Sequence, residues 1–392
     1  MQEQLSAIIQ NIKIILRAIK EGRAGKEAIL DVQMSVGEVN RILYHVSQLK
    51  FQKDYDLNLV ESDLEYINEA ELLLDIWEQS LHRRAGTRTD AEFWDIYEYF
   101  KYVDINDIFQ ETLQKFMALP EGLRIEYFAL PYRYTFLKNK IDYSCNDFSL
   151  IAQHVELMVN GIEKYKWLYE RLADNRSKMT LNGIIRYWFE FDLNKLSALC
   201  ETTFSDYYDM DILECGENDV IVDLGAYTGD SILDYIYTFG KYQRIYAYEI
   251  TPCTYQTLLQ NISEYQNIIP LQKGVGSQKG KMFLDEDKQR GGNHLLDEGE
   301  IPVEVVTLDE DIKEPVTVIK MDIEGAEKDA ILGAESHIRK EKPKLLISSY
   351  HIPEDIFEIP QLIHSIRGDY KFYMRFYGHG CLWPCDYVLF AV

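Results

Sequence analysis

Two runs of apolar residues at helical spacing occupy the first 46 positions of the chain, separated by glycines at positions 22 and 25. Their apolar positions are Leu5, Ile8, Ile12, Ile15 and Ile19 in the first run, and Ile29, Val32, Val36, Val39, Leu43 and Val46 in the second. Alternating intervals of three and four residues are typical of helices that pack lengthwise on a partner helix. The partner is either the other helix of an internal hairpin or a second chain in a homodimer, and the pattern leaves both open.

The following part of the chain is also predicted to be helical, and it is rich in Tyr, Phe and Trp. Helical patterns run through residues 60–85, 150–173 and 176–190, whereas the segment RRAGTRTD at residues 83–90 indicates a loop. We therefore expect three regions. They are a helical hairpin or coiled-coil-like region over 1–88, an aromatic-rich helical domain over 89–212 and a further domain over 213–392.

From Asp219 onwards the pattern changes to strands and helices in alternation. The segments VIVDLG, RIYAYEI, VTVIKMD and KLLISSYH are apolar runs of strand length, and each precedes a helical segment. IIPLQKGVG is predicted as one more strand, and KMFLDED and VEVVTLDE as a hairpin. This alternation predicts an α/β fold, with a parallel, doubly wound, Rossmann-like sheet. The last two strands, KFYMRFYG and DYVLFAV, are joined by a short turn and must be antiparallel.

Composition and charge exclude several classes of partner. The 392 residues are 46% apolar, which indicates a globular chain, and their formal net charge is −24 at pH 7. A surface with this much negative charge repels nucleic-acid phosphates and anionic lipid. We therefore expect no nucleic-acid partner. The N-terminal apolar run is too short and too polar to span a bilayer, and six cysteines without CxxC spacing indicate reduced thiols. We expect a cytoplasmic protein without membrane insertion.

The chemistry of the chain is expected at one edge of this sheet. Open parallel sheets bind ligands at the carboxyl ends of their strands, near the point where the strand order reverses. The residues at those ends are Asp223, Glu249, Asp322 with Glu324, and His351. We expect these carboxylates and the imidazole to gather along one crevice.

The turn in VDLGAYTGDS has glycines where a strand must turn into a helix. It lacks the GK[ST] ending of a phosphate-binding loop and the second glycine of the dinucleotide GxGxxG motif. Glu249, at the end of the next strand, is placed to accept both ribose hydroxyls of an adenosine cofactor, which leaves NAD and S-adenosylmethionine open. The antiparallel last strand favours a methyltransferase.

Six segments together resemble the FkbM-type methyltransferases: VDLGAYTGDS, YAYEITP, VVTLDED, VIKMDIEGAE, SSYHIPEDIFEIPQLIHSI and YKFYMRFYGHG. The resemblance covers residues of about 215–392, and the K-x-D-x-E-G-A-E string is its most specific part. It implies a class I methyltransferase fold, S-adenosylmethionine as cofactor, and methylation of a hydroxyl oxygen of a sugar, glycan or natural product. The N-terminal region resembles no family that we recognise.

The resemblance also implies roles for individual residues. Glu249 would hold the ribose, although Ile250 stands where the family commonly has a proline, which leaves the adenine contacts open. Asn293 and His294 lie in a segment that would close over the cofactor or acceptor. The residues that would line the methionine end of the cofactor are Asp223, Gly225, Ala226, Tyr227 and Gly229.

Methyl transfer to a sugar hydroxyl needs a group that takes the proton of the hydroxyl as the C–O bond forms. His351, as a neutral imidazole, is the first candidate, and Asp322 or Glu324 is the second. The sequence also allows a divalent metal ion on Asp322 and Glu324 but does not favour it. Glu327 is expected to be a helix-start acid.

Residues further along the chain are expected to contact the acceptor. These acceptor-binding candidates are Arg375 and His379, together with His294. Two other functions stay open. One is an NAD-dependent oxidoreductase or sugar epimerase, and the other is a catalytically silent protein whose sheet only binds a cofactor.

Overall fold

The computed structural model describes residues 86–124, 148–285, 294–296, 299, 301–378 and 385–392. The chain divides into two compact units, Met1–Glu98 and Tyr99–Val392, and helix α1 (Arg88–Tyr102) spans their boundary. The predicted N-terminal seams and the possible dimer contact through them lie outside the described residues, as does FALPYRYTF. The predicted three-region division stays a prediction.

Among the described residues of the second unit, four helices precede the sheet: α2 (Ile105–Met117), α3 (Ser149–Tyr169), α4 (Asn175–Glu190) and α5 (Leu193–Ser197). The helical patterns over 150–173 and 176–190 are thereby confirmed as α3 and α4. Asp174 is the N-cap of helix α4, and its carboxylate accepts a hydrogen bond of 2.7 Å from the N–H of Ser177. A carboxylate at this position satisfies one of the otherwise unpaired N–H groups of the first turn. The helix ends before Phe191, which adopts a left-handed conformation.

A seven-stranded sheet forms the centre of this unit, and we call it the main sheet. Its strands, in spatial order, are β10 (Phe372–Phe376), β11 (Tyr387–Ala391), β9 (Lys344–Ser348), β8 (Val318–Met321), β1 (Val220–Leu224), β2 (Arg244–Tyr248) and β3 (Ile268–Leu271). Within this sheet, β11 runs in the opposite direction to the other six strands and is antiparallel to its neighbours β9 and β10. The predicted doubly wound sheet with an antiparallel final strand is confirmed.

Helices connect the strands of the main sheet, as the alternating pattern predicts. They are α6 (Asp230–Phe239), α7 (Pro252–Asn261), α8 (Leu308–Asp311), α9 (Glu327–Gly333), α10 (Glu335–Glu341) and α11 (Asp355–Ile366). Ile232 and Tyr235 of α6 share one apolar cluster with Leu258 of α7 and with Ile221 and Ile245 of the sheet. Burial of these side chains fixes both helices on the sheet.

A small second sheet interrupts the alternation, with the order β4-β7-β5-β6. Its strands are β4 (Gly274–Val275), β5 (Gly280–Asp285), β6 (His294–Leu296) and β7 (Ile301–Val306). The two segments of the predicted hairpin pair antiparallel as β5 and β7, but they are not a simple hairpin, because β6 lies between them in sequence and pairs with the other edge of β5. IIPLQKGVG is two strands rather than one, because β3 pairs with β2 whereas β4 pairs with β7.

The end of VEVVTLDE was predicted as strand but is helical, because α8 begins at Leu308. Three acids, Asp309, Glu310 and Asp311, lie in its first turn, where carboxylates interact favourably with exposed N–H groups. Within the described residues, the helices are either too short or too polar to cross a bilayer.

Candidate active site

A cavity of about 620 Å³ opens at the carboxyl ends of β1, β2 and β8. This is the point where the strand order reverses, because β1 lies between β2 and β8. The location is the one that open α/β sheets use for ligands, and the volume lies in the usual range for small-molecule pockets. The charged side chains along its wall are Asp230, Glu249, Lys273, Lys320, Asp322, Glu324 and Asp329.

The glycine turn after β1 brings the backbone close to the neighbouring strand. Gly225 has φ +77°, and a Cβ atom at this position would lie 1.9 Å from the carbonyl oxygen of Asp322. Only glycine fits there. Tyr227, two residues later, has φ +46° and exposes 60% of its side chain along the cavity wall.

The six residues predicted to contact the cofactor divide into two groups. Gly225, Tyr227 and Glu249 line the cavity, whereas Asp223, Ala226 and Gly229 are not part of its wall. Both Asp223 and Ala226 are almost completely buried.

The carboxylate of Asp223 is occupied by protein groups instead of facing the cavity. Lys320 Nζ lies 3.1 Å from Oδ1, and the hydroxyl of Ser231 donates a hydrogen bond of 2.5 Å to Oδ2. Lys320 also donates to the carbonyl oxygen of Gly225 and lies over the ring of Tyr207. Burial alone would lower the pKa of Lys320, but the charges of Asp223 and Asp322 outweigh it and raise that pKa. The sequence feature that indicates such a buried ion pair is the lysine inside the apolar strand VIKM.

Glu249 lies just beyond β2 and is largely buried at 7% exposure. Its two oxygens accept one backbone N–H each, from Tyr227 at 3.0 Å and from Thr251 at 2.7 Å. Burial raises the pKa of Glu249. Because each carboxylate oxygen has a second lone pair, Glu249 can still accept hydroxyl groups from a ligand.

Four side chains meet beyond the ends of β8 and β9, and we call Asp322, Glu324, Glu327 and His351 the His351 cluster. His351 Nε2 lies 3.3 Å from Asp322 Oδ1 and 3.6 Å from Glu324 Oε2, while Nδ1 lies 2.9 Å from Glu327 Oε1. The expected gathering of Asp322, Glu324 and His351 is therefore present. Asp322 and Glu324 do not meet by lying along one extended strand, since Glu324 has φ +57° and Gly325 φ +96°.

Glu327 is the member of the cluster that sequence reasoning underrated. It begins α9, as expected, but it is fully buried, and its Oε1 also accepts the N–H of Ile323 at 3.0 Å. Its pairing with His351 spans 24 residues of sequence and depends on how β9 lies beside β8. No local pattern encodes such a contact.

The cluster changes the charge expected for His351. Burial alone would lower the pKa of His351, but Glu327, Asp322 and Glu324 outweigh it and raise that pKa to about 10. Burial raises the pKa of Glu324 to about 7. Burial would also raise the pKa of Asp322, but the charges of His351 and Lys320 lower it. The imidazole is thus a cation at pH 7, not the neutral base that the sequence led us to expect.

Tyr207 reaches this site from the segment between α5 and β1. Its hydroxyl donates to Asp322 Oδ2 at 2.8 Å and lies 2.9 Å from the hydroxyl oxygen of Ser348. Tyr207 has φ +70° and lines the cavity, as do Tyr227 and Glu324 with their positive φ angles. Residues held in such uncommon conformations often cluster at functional sites. No sequence pattern indicates this contact.

Arg375, one of the three predicted acceptor-binding residues, is not brought to the cavity. Arg375 is buried in β10, where Nε donates to Asp209 and Nη2 to Asp174, each at 2.7 Å. The guanidinium is thus held by two carboxylates away from the cavity wall. His294 is the first residue of β6, and His379 lies outside the described residues. The roles predicted for these two histidines stay predictions.

Comparison with known proteins gives a family for this part of the chain. Residues 223–372 match the family described as the Methyltransferase FkbM domain. The crystal structure of Methyltransferase FkbM from Methylobacillus flagellatus KT is similar, with 26% sequence identity and a TM-score of 0.51. That alignment covers 65% of this chain and 63% of the other, so it spans less than two thirds of that protein. No curated protein matches the chain.

Two further solved structures are more distant. Fibrillarin from Aeropyrum pernix, solved with natively bound S-adenosyl-L-methionine, is 14% identical, with a TM-score of 0.30, and the alignment covers 45% of this chain and 67% of that one. A putative rRNA methylase from Clostridium thermocellum is 10% identical, with a TM-score of 0.30 and coverages of 45% and 86%. These scores are too low to bear on this chain. The family match and the fold identify the C-terminal part of the chain, from β1 to the start of β10, as a methyltransferase domain of the FkbM family.

Proposed function

We propose that the protein transfers a methyl group from S-adenosylmethionine to a hydroxyl oxygen of a sugar, a glycan or a related natural product. One observation carries this proposal. A single cavity contains Glu249, a buried acid at the end of β2, together with Asp322 and Glu324 at the end of β8. Glu249 is suited to accept hydrogen bonds from the hydroxyls of a ribose. Asp322 and Glu324 are suited to take the proton from an acceptor hydroxyl.

The residues present fit the cofactor. A cavity of about 620 Å³ is large enough for it, and Glu249 keeps lone pairs for the two ribose hydroxyls. When bound, S-adenosylmethionine supplies a methyl group on an already activated sulfonium. The main contribution of the protein to catalysis is then to position the acceptor.

Asp322 and Glu324 are the groups placed to take the proton of the acceptor. Both line the cavity, whereas His351 is 2% exposed and is not part of the wall. His351 then has a different role from the one first expected. It holds the two carboxylates from behind and balances part of their charge. Tyr207 fixes the second oxygen of Asp322.

The charges along the cavity support an uncharged acceptor. Five acids line it, and its two lysines are already paired, Lys273 with Asp311 and Lys320 with Asp223. Arg375, an acceptor-binding candidate in the sequence analysis, is held by two carboxylates elsewhere. A neutral sugar therefore fits better than a nucleotide-sugar, because the diphosphate would meet carboxylates of the same charge sign.

The cofactor is tested by calorimetric titration with S-adenosylhomocysteine, with NAD titrated in parallel. We expect one mole of S-adenosylhomocysteine to bind per mole of chain and NAD not to bind. Binding of NAD alone would instead support the oxidoreductase or epimerase. Binding of neither would support a silent scaffold.

The reaction is tested with S-adenosylmethionine carrying a labelled methyl group and a panel of neutral oligosaccharides and nucleotide-sugars. We expect label on a neutral member, and we expect Asp322→Ala to abolish transfer while still binding S-adenosylhomocysteine. Asp369→Ala, at an exposed aspartate paired with Arg367, is the matched control. Undiminished transfer by Asp322→Ala would remove this carboxylate from the mechanism.

A further inference from the structure

The segment between α5 and β1 contacts the carboxyl ends of three strands of the main sheet, and we call residues 201–213 the strap. Its first backbone N–H donates a hydrogen bond of 2.7 Å to the carbonyl oxygen of Phe376, at the end of β10. The hydroxyl of Tyr207 lies 2.9 Å from that of Ser348, at the end of β9. The same hydroxyl donates at 2.8 Å to Asp322, directly beyond β8. The strap thereby brings Tyr207 to the cavity wall.

A buried ion pair anchors the strap to the main sheet two residues after Tyr207. Arg375 Nε donates to Asp209 Oδ2 at 2.7 Å, and the two side chains are only 4% and 0% exposed. The other oxygen of Asp209 accepts the backbone N–H of Asp211 at 2.8 Å. Because this carboxylate binds both the guanidinium and the backbone of the strap, it fixes the chain directly after Tyr207.

Tyr207 depends on such contacts, because its φ angle of +70° is unfavourable for a residue with a side chain. A residue in this conformation persists only when its surroundings hold it there. The two following residues provide the hold. The ring of Tyr208 is buried in the apolar cluster, and Asp209 is paired with Arg375. Loss of the ion pair should therefore let Tyr207 move away from Asp322.

The contact with Tyr207 restricts the carboxylate of Asp322. Tyr207 donates to Oδ2, while Oδ1 faces His351 Nε2 at 3.3 Å. A carboxylate that is held at both oxygens keeps one orientation toward the cavity. Burial raises the pKa of Tyr207 well above its usual value of 10, and the charge of Asp322 raises that pKa further. The tyrosine hydroxyl therefore stays protonated and remains a donor to Asp322.

We infer that the strap is part of the active site, that Tyr207 is a positioning residue for Asp322, and that the Arg375–Asp209 pair keeps Tyr207 in place. Tyr207, Asp209 and Arg375 all lie outside residues 223–372, which match the family. The cavity of the methyltransferase domain thus depends on segments before and after the matched part. The effect on catalysis rests on the proposed function, in which Asp322 can take the proton of the acceptor, whereas the anchoring of the strap does not.

The anchoring is measured without any acceptor, on full-length protein that carries 3-fluorotyrosine in place of Tyr207. Its fluorine NMR signal reports the surroundings of the ring. Asp322→Asn should shift the signal, because the hydroxyl loses its charged acceptor. Asp209→Asn should shift or broaden it, because the amide can still accept the N–H of Asp211 but no longer offers a charge to Arg375.

Asp174→Asn is the matched control for the ion pair. Asp174 holds the same guanidinium, with Arg375 Nη2 also 2.7 Å from its carboxylate, but it caps α4 and is not part of the strap. This variant should leave the fluorine signal unchanged. Circular dichroism checks the fold of each variant. If Asp209→Asn does not fold, Arg375→Lys replaces it, because lysine keeps the charge but lacks the planar fork that reaches both aspartates.

The effect on catalysis is measured as kcat and KM for the neutral acceptor that the panel identifies, with calorimetry of S-adenosylhomocysteine in parallel. Tyr207→Phe should lower kcat about 10–100-fold, because Asp322 loses a hydrogen bond to a charged group. KM and the affinity for S-adenosylhomocysteine should stay within about twofold, since neither reports the orientation of Asp322. Tyr208→Phe, the same change at the neighbouring residue, is the control and should leave kcat almost unchanged.

Three results would overturn the role of the strap. The first is a fluorine signal that neither Asp322→Asn nor Asp209→Asn changes. The second is an equal change of the signal in Asp209→Asn and Asp174→Asn, which would mean that the pair acts through general loss of packing. The third is a Tyr207→Phe protein with the kcat of the wild type. If no member of the panel accepts a methyl group, the proposed function fails, and the fluorine signals still decide whether the ion pair holds Tyr207 at Asp322.

Discussion

Lys320 of β8 and Asp223 of β1 are direct neighbours in the register of the main sheet, and they form an ion pair of 3.1 Å with side chains only 3% and 2% exposed. The pair lies directly behind the cavity, because Lys320 also lines its wall and donates to the carbonyl oxygen of Gly225. It thereby ties the glycine turn to the strand that ends at Asp322. A buried ion pair adds little net stability, but removal of one partner leaves an unpaired charge.

Lys320→Met should therefore destabilise the protein by about 3–5 kcal/mol, because Asp223 would remain buried without its cation. Affinity for S-adenosylhomocysteine should also fall, since the Gly225 turn loses its anchor. Urea unfolding followed by circular dichroism gives the first quantity, and calorimetry the second.

The exposed pair of Lys241 and Glu217 provides the matched control, with side chains 75% and 67% exposed. Lys241→Met should leave stability and affinity almost unchanged, because exposed ion pairs contribute little. Equal effects of the two substitutions would show that burial of the Lys320 pair has no energetic consequence.

Gly225→Ala should cost at least about 3 kcal/mol of stability, because a left-handed backbone with a side chain is strained and the new Cβ would meet the carbonyl oxygen of Asp322. Gly280→Ala is the comparison, since a Cβ there meets no atom within 4 Å. That change should stay within about 0.5 kcal/mol. Thermal unfolding of both variants measures the difference, and a Gly225→Ala protein as stable as Gly280→Ala would contradict the geometry.

The strand ends of the main sheet could be predicted from sequence because each depends on local pattern. Apolar runs such as VIKM end where the first acid appears, and parallel sheets place those ends at one edge. Glu249, Asp322 and Glu324 could be predicted at the cavity for this reason, and all three line it. It also predicted that the final strand is reversed, because a short connection cannot join parallel strands.

The contacts behind the cavity wall could not be predicted in the same way. Tyr207 meets Asp322 across 115 residues of sequence, and Glu327 meets His351 across 24. We expected Arg375 to contact the acceptor because an arginine near a strand end could bind a ligand. Its partners, Asp174 and Asp209, come from segments far earlier in the chain. Side-chain pairing over such distances depends on tertiary packing, which hydrophobic periodicity does not encode.

Asp174→Asn should destabilise the protein by about 1–3 kcal/mol at pH 7, through the lost charge-assisted hydrogen bonds to Arg375. Asparagine can still cap α4, so the change isolates the charge. Burial alone would raise the pKa of Asp174, but Arg375 and Ser177 outweigh it and lower that pKa. A lowered pKa stabilises the folded state at pH values above the unfolded-state pKa of about 3.9. This stabilisation is lost as the pH falls through the folded-state pKa.

The stability difference between wild type and Asp174→Asn should therefore be constant from pH 5 to pH 7 and shrink below about pH 4. Denaturant unfolding at several pH values measures it. A difference that grows as pH falls would show that the carboxylate is stabilised as its neutral form.

Glu249→Gln should weaken binding of S-adenosylhomocysteine by about 10–100-fold, because a neutral amide accepts ribose hydroxyls less well than a carboxylate. Loss of affinity alone does not identify the ligand group involved, since Glu249 also holds the N–H groups of Tyr227 and Thr251. The 2′,3′-dideoxy analogue of S-adenosylhomocysteine, which lacks both ribose hydroxyls, separates the two causes. Calorimetry is run with both ligands on both proteins. We expect the wild type to lose affinity on going to the analogue and Glu249→Gln to lose much less, because its contact is already missing. Equal losses in the two proteins would mean that Glu249 supports the turn around Tyr227 and does not contact the ribose.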